Sequence, residues 1–220
     1  KFYFDKLENN FEHQPIFDIL KISLNSWTEI AQSKDKEKIK LIDISRPGYN
    51  NLILIQKVFA HCHIGSADTE QEFKRIIENK KLSFSRYNFF FANYLLNNNK
   101  ETESNNFINL ASERYPGNLL INQFKKNLNN KEKTKIWFNC TSSSDVMGEI
   151  FYIFANALSS QGDYKLSNFY ISLSKFLNPN FLSYDALLAE NFFILKKNHD
   201  AKKIYKKISK LGSIYKWYAA

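Results

Sequence analysis

The chain has 220 residues and a formal net charge of +9 at pH 7, and 44% of its residues are hydrophobic and 16% aromatic. This apolar content excludes a disordered chain, and no apolar run approaches the roughly 18 residues of a membrane-spanning helix. Only 6 glycines and 4 prolines are present, which favours long helices joined by short turns over a β-sandwich with its frequent turn signals.

The positive charge is compatible with nucleic acid or an anionic membrane surface as a partner. Lysine, asparagine, isoleucine, phenylalanine and tyrosine are abundant together, however, which resembles the compositional drift of an A+T-rich genome. We therefore give the net charge little weight.

Residues 1–84 predict degenerate helical repeats. Apolar residues at helical spacing from Pro15 to Ala31 indicate an amphipathic helix, and a short helix is expected over 39–44. Residues 52–60 have the β-branched content of a strand, but their length and flanks favour a buried helix that ends at Gly65. The helix that follows is expected over 67–78, with Ser66 as its N-cap.

Two stretches, 85–118 and 148–181, repeat the same residue classes at the same intervals. The second of them carries, in order, Phe151, Phe154, Ala155 and Leu158, a turn with Gly162, then Ser167, Ile171 and Ser174 before Pro179. The first carries Phe91, Ala92, Leu95, Ser104, Ile108, Ala111 and Pro116. Small residues among large ones let two helices approach closely. Because a pair this short cannot bury its apolar face alone, each pair requires stacked neighbours.

A third match, 182–213, has Leu188, Ala189 and Phe192 in its first helix and Ala201 and Tyr205 in its second. Its turn lacks glycine, and no closing proline follows. Residues 214–220 begin a further helix. The chain starts without a methionine and stops inside that helix, so we expect a piece of a longer protein.

Residues 119–147 interrupt the pattern. They predict one short helix, a polar connector from Asn129 to Lys135 that could serve as a flexible seam, and an aromatic cluster around Trp137 and Phe138. Ser144 or Asp145 is expected to cap the helix that follows.

The spacing of the 148–181 unit resembles the tetratricopeptide repeat, a helix-turn-helix of about 34 residues with small residues at fixed positions and a closing proline. The C-terminal part of the chain is similar to tetratricopeptide proteins of alphaproteobacterial type. This resemblance implies a bacterial protein of the cytoplasm or periplasm, many such proteins being exported. It also implies an all-α, right-handed superhelical solenoid of antiparallel helix pairs, broken by one irregular segment.

In such a solenoid the first helix of each pair lines a concave groove, which implies a surface for a protein or peptide. The residues that avoid the core stripe on these helices are Arg86, Phe89, Asn93, Leu96, Glu149, Tyr152, Asn156, Ser159, Ser183, Ala186, Glu190 and Phe193. Asn93 and Asn156 take equivalent positions, and an amide there can hold an extended peptide backbone. The irregular segment lies between the two repeats and could break the groove.

No catalytic or metal centre is predicted. His61, Cys62 and His63 are adjacent in a predicted helix and cannot converge on one ion. Ser-x-x-Lys occurs at residues 33–36, 172–175 and 213–216, but without the companion motifs of an acyl-enzyme nucleophile. We expect neither enzyme activity nor a cofactor. Cys140 is the other cysteine, and two do not form a disulfide framework; whether they pair stays open.

One helix carries a sharp charge pattern. Its basic face comprises Lys202, Lys203, Lys206, Lys207 and Lys210, opposite an apolar arc. Either this is the solvated outer face of a solenoid helix, or it attracts RNA, acidic lipid or an acidic protein. Taken together, the sequence favours a protein- or peptide-binding scaffold, and the alternative is a basic adaptor for nucleic acid or an anionic membrane surface. The oligomeric state is left open.

Overall fold

The computed structural model describes residues 15–33, 35–42, 50–79, 85–130 and 137–220. Across these ranges all regular structure is helical and no strand occurs, which confirms the predicted all-α class. The chain divides into two compact units, Lys1–Thr69 and Glu70–Ala220. No helix in the described ranges is both long enough and apolar enough to cross a membrane.

The first unit contains helix α1 (Pro15–Ser33), a 3-10 helix (Lys36–Ile42) and helix α2 (Asn50–His63). Residues 52–60 lie within α2, so the helical interpretation of that stretch is confirmed and the strand is excluded. Trp27 Nε1 donates to Gln56 Oε1 at 3.1 Å, and Gln56 Nε2 donates to Ser23 Oγ at 3.0 Å. This buried polar chain fixes α1 against α2.

Within the described residues, the second unit is built from nine α-helices and a short 3-10 helix at Ser209–Leu211. The α-helices are α3 (Thr69–Ile77), α4 (Ser85–Asn97), α5 (Glu101–Arg114), α6 (Leu119–Asn129), α7 (Ser143–Ser160), α8 (Tyr164–Leu177), α9 (Tyr184–Ile194), α10 (Asn198–Ile208) and α11 (Ser213–Tyr218). Consecutive helices pack on each other, most extensively α7 on α8 and α9 on α10. The superhelical solenoid itself stays a prediction. The predicted connector falls largely on residues 131–136, which lie outside the described residues.

Two helix starts differ from the predicted ones. Helix α3 begins at Thr69 and not at residue 67, because the Ser66 hydroxyl accepts the Asp68 N–H (3.2 Å) in a turn that precedes the helix. Helix α7 is capped by Ser142, whose Oγ accepts the Asp145 N–H at 3.3 Å. The cap therefore lies two residues before the first of the predicted ones.

Four turns that follow helices share one backbone conformation. In each, the second residue after the helix has positive φ, and these residues are Gly65 (71°), Asn99 (60°), Gly162 (85°) and Lys196 (58°). The N–H of the next residue donates to the carbonyl five positions earlier, which is the Schellman arrangement of a helix C-terminus. Gly65 and Asn99 stand 34 residues apart, and so do Gly162 and Lys196. The predicted periodicity therefore appears in the backbone, even where the sequence lacks glycine.

The small residues predicted at the helix crossings are buried. Each of the three turns of the second unit has one of these residues at the same sequence distance before it and another at the same distance after it. All six are 2% exposed or less. They are Ala92, Ala155 and Ala189 on the helices before the turns, and Ser104, Ser167 and Ala201 on the helices after them. The register predicted for Ala155 is thus confirmed. Only small side chains occupy these crossings, as close helix packing requires.

The last helix of the described chain returns to a helix much earlier in the sequence. Helix α11 packs on α6, and Gln123 Oε1 accepts the Ile214 N–H at 3.1 Å. Gly212, with φ of 145°, lies so close to Gln123 that an added Cβ would overlap its amide. An array in which each repeat touches only its neighbours does not predict this return of the chain.

Candidate functional site

A buried ion pair joins two residues that we expected to line a groove. Arg86 of α4 donates from Nε to Glu149 Oε1 at 2.7 Å and from Nη2 to Glu149 Oε2 at 2.9 Å. The Glu149 side chain is 0% exposed and that of Arg86 is 18% exposed. Such a two-point pair fixes both the distance and the orientation of the two groups.

The guanidinium of Arg86 is surrounded by polar and aromatic groups from other elements. Its Nη1 donates to Ser183 Oγ at 2.9 Å, in the turn before α9. Its central carbon lies 4.1 Å from the ring centroid of Tyr152 and 5.1 Å from that of Phe181, within the range of cation–π attraction. Burial raises the pKa of the Glu149 carboxyl, and the neighbouring arginine opposes that shift. We call Arg86, Glu149, Ser183, Tyr152 and Phe181 the arginine centre.

The arginine centre anchors helices more readily than it supports a reaction. Both oxygens of Glu149 accept from Arg86, so this carboxylate serves as the ion-pair partner of the guanidinium. Burial also raises the pKa of Tyr184, which packs on Tyr152 with ring centroids 5.2 Å apart. Neutral phenols around a paired arginine form a rigid core that links α4, α7 and the start of α9.

Phe89 is a core residue and does not line a groove. It is 0% exposed, lies stacked on Phe181 with centroids 5.7 Å apart, and meets Phe124 of α6 edge-on at 5.2 Å. The prediction that Phe89 faces a partner was wrong because α6 and the turn before α9 cover this side of α4.

The two equivalent asparagines do not share one open face. Asn93 is buried, and its Nδ2 donates to the Phe138 carbonyl at 2.7 Å. Asn156 is exposed to solvent. The aromatic cluster of the irregular segment thus covers Asn93 and satisfies its amide, so this side chain is not available to a peptide backbone.

The expected groove residues near the C-terminal ends of α7 and α9 remain accessible. Asn156, Glu190 and Phe193 are exposed, and Phe193 is 63% exposed. Ser159 Oγ donates to Asn191 Oδ1 at 2.6 Å, which ties the two helices together. We call the surface formed by Asn156, Ser159, Glu190, Phe193 and Ile194 the open face. Leu96, on α4, is half-buried, as is Ala186 near the start of α9.

The predicted basic face is divided. Lys207 donates to Asp185 Oδ2 at 2.8 Å, and Lys175 of α8 pairs with the other oxygen of the same carboxylate. Asp185 is fully buried. The remaining members of the basic face are exposed, Lys202, Lys203 and Lys206 on α10 and Lys210 on the 3-10 helix that follows it.

Sequence reasoning missed two polar residues that hold the helices together. One is Asp185, and the other is Asn191, which is 0% exposed and donates from Nδ2 to Ser167 Oγ and Asn168 Oδ1, both at 2.8 Å. The sequence did contain a signal for both residues, because each is a polar residue within the apolar stripe of α9. A polar residue buried in this way must find partners.

The described residues contain no group of three or more His, Cys, Asp or Glu side chains that could hold a metal ion. His61 Nδ1 lies 3.1 Å from Ser66 Oγ, and Cys62 and His63 are buried. No protein-family model, curated protein or solved structure matches the chain. The resemblance to tetratricopeptide repeats therefore rests on the residue pattern alone.

Proposed function

We propose that the chain is a non-enzymatic scaffold that binds a protein or peptide on the open face. The observation that carries this proposal is the exposure of Phe193, a large apolar side chain one turn after the exposed Glu190 on α9. Partly buried aromatic anchors supply much of the energy of protein association. The open face combines such an anchor with groups that can fix a peptide backbone.

Each polar residue of the open face has a distinct chemical use. The Asn156 amide offers a donor and an acceptor to a main-chain peptide group. The Glu190 carboxylate, which accepts the Tyr218 hydroxyl, adds a negative charge. A segment with an apolar residue next to a lysine or arginine would complement this surface. The arginine centre supports the proposal, because it ties α7 to the turn before α9 and a rigid scaffold lowers the entropy lost on binding.

A peptide selection tests the proposal. Linear peptides selected from a phage-displayed random library on the whole chain would be measured for affinity by calorimetry. We expect Phe193→Ser and Asn156→Ala each to raise the Kd on the order of tenfold, equivalent to about 1.4 kcal/mol.

Phe176→Ser is the matched control, since Phe176 is 82% exposed but lies on α8 and outside the open face. It should leave the Kd unchanged. Peptides that bind the Phe193→Ser and Asn156→Ala variants as tightly as the native chain would refute the open face as the binding surface.

A further inference from the structure

Helix α8 presents an aromatic stripe to solvent. Phe169 is 55% exposed and Phe176 is 82% exposed, and they stand two turns apart on one side of the helix. The opposite side is buried and contains Ser167, Tyr170 and Ile171. Phenylalanine has no polar atom to offer to water, so two such rings at this exposure are unusual for a solvated helix.

The Asp185 carboxylate brings this stripe next to the exposed lysines of α10. Lys175 of α8 and Lys207 of α10 both reach that carboxylate, so the charged ends of these two side chains approach each other. Asp185 belongs to α9, which packs on both α8 and α10. The two helices therefore flank the same position on α9, and we consider their solvent sides together.

On α10 the solvent side is basic. Ala201 and Ile208 mark its buried side, and the exposed lysines project from the opposite arc. We call the combined region the aromatic–lysine surface, which comprises Phe169, Phe176, Lys202, Lys203, Lys206 and Lys210. Within it, the apolar groups are all on α8, and the positive charges are all on α10 and the 3-10 helix that follows it.

We propose that the aromatic–lysine surface docks the chain on an anionic lipid bilayer. Apolar side chains that enter the boundary between headgroups and acyl chains, together with lysines at the headgroups, are the two contributions that hold a protein at a membrane surface. The lysine stems are long enough to keep their charges at headgroup level while the phenylalanine rings insert.

The separation of the two residue types favours lipid over nucleic acid. A single-stranded nucleic acid is bound by aromatic side chains interleaved with positive charge along one groove, so that bases stack while phosphates are neutralised. Here no aromatic side chain stands among the exposed lysines of α10. A bilayer can bind separate apolar and basic regions at the same time, because its headgroup layer and its acyl layer both extend across the whole membrane plane.

Vesicle sedimentation tests this proposal, using the whole chain with vesicles of phosphatidylcholine alone and of its equal mixture with phosphatidylglycerol. We expect binding to the mixed vesicles that weakens as salt is added, and little binding to neutral ones. The double variant Phe169→Ser/Phe176→Ser should lower the partition coefficient on the order of tenfold or more. Replacement of the four exposed lysines by glutamine should also lower binding and should flatten its salt dependence.

Phe193→Ser serves as the matched control, because it removes an exposed phenylalanine of the open face and leaves the aromatic–lysine surface intact. Circular dichroism would establish that each variant keeps its helix content. The proposal is overturned if mixed vesicles do not bind, if binding survives the double phenylalanine variant, or if single-stranded DNA displaces the chain from the vesicles. It does not rest on the proposed peptide binding, since the two surfaces use different residues.

Discussion

Arg86 and Glu149, 63 residues apart in the chain, form a two-point ion pair in which the carboxylate is entirely buried. Removal of two charges from water is costly, and their mutual attraction offsets this cost only when geometry and further hydrogen bonds are favourable. Here the second condition is met by Ser183 and the aromatic rings around the guanidinium. The ion pair therefore stabilises the fold only when both residues are present, because each charge is compensated by the other.

We expect Arg86→Met to lower the free energy of unfolding by about 3 to 5 kcal/mol, because it leaves the buried Glu149 charge without a partner. Urea denaturation followed by circular dichroism measures this loss. The double variant Arg86→Met/Glu149→Leu should recover a large part of it, since no uncompensated charge remains. Equal losses in the single and double variants would show that the arginine contributes through packing and not through charge.

The sequence predicted the helices that carry Arg86 and Glu149 but not the residues that surround this ion pair. Arg86 and Glu149 were correctly placed at equivalent positions on first helices, since helical spacing is a local property. Their burial depends on Phe181 and Ser183, which belong to a turn with no periodic pattern. Asn93 shows the same limit, because its partner Phe138 comes from the irregular segment.

Ala155→Leu should lower the free energy of unfolding by about 1 to 3 kcal/mol. Ala155 is 0% exposed where α7 crosses α8, and three additional carbon atoms force either helix to move. Thermal denaturation provides the measurement. The neighbouring change Asn156→Leu is the control, and we expect it to stay within about 0.5 kcal/mol because Asn156 is exposed. A native melting temperature for Ala155→Leu would contradict the observed register.

Lys196→Gly is expected to stabilise the chain by about 0.5 to 1 kcal/mol. Lys196 has a φ of 58° and occupies the turn position that Gly162 fills in the preceding repeat. A side chain in this left-handed conformation costs energy that glycine avoids, although glycine also has more freedom in the unfolded chain. Chemical denaturation of Lys196→Gly and of the reverse change Gly162→Lys would give shifts of opposite sign. A loss of stability in Lys196→Gly would mean that the lysine makes a compensating contact.

The stability contribution of Asp145 should fall as the pH rises. Burial raises the pKa of this carboxyl above its ordinary value of 3.8, although the Asn139 N–H and the Ser142 hydroxyl oppose the shift. The folded chain therefore binds this proton more tightly than the unfolded chain does. The resulting contribution to stability is fully present below pH 3.8, and it is lost as the pH rises through the higher pKa of the folded chain.

Asp145→Asn removes this titration while it keeps an oxygen acceptor for the Asn139 N–H. We expect the native chain to lose stability relative to the variant between about pH 3 and about pH 7, as measured by urea denaturation across that series. A stability difference that grows with pH would show that the hydrogen bonds outweigh burial.

Turn chemistry was only partly predictable. Glycine marks the left-handed position at Gly162, but Asn99 and Lys196 hold the same conformation without it. The reason is that the adjoining helices fix the chain direction on both sides, so the turn accepts a strained residue. The polar residues Asp185 and Asn191 were missed for a related reason, since their partners lie on helices that only the folded chain brings together.

The contact of α11 with α6 determines when the second unit can be completed during synthesis. Helices α7 to α10 can pair with a sequence neighbour as soon as that neighbour leaves the ribosome, whereas Gln123 must wait for a residue 91 positions later. Contacts of such long separation form slowly, because the intervening chain must be ordered first. One side of α6 consequently stays uncovered while those 91 residues are synthesised, and it is there that a chaperone or a protease would meet the nascent chain.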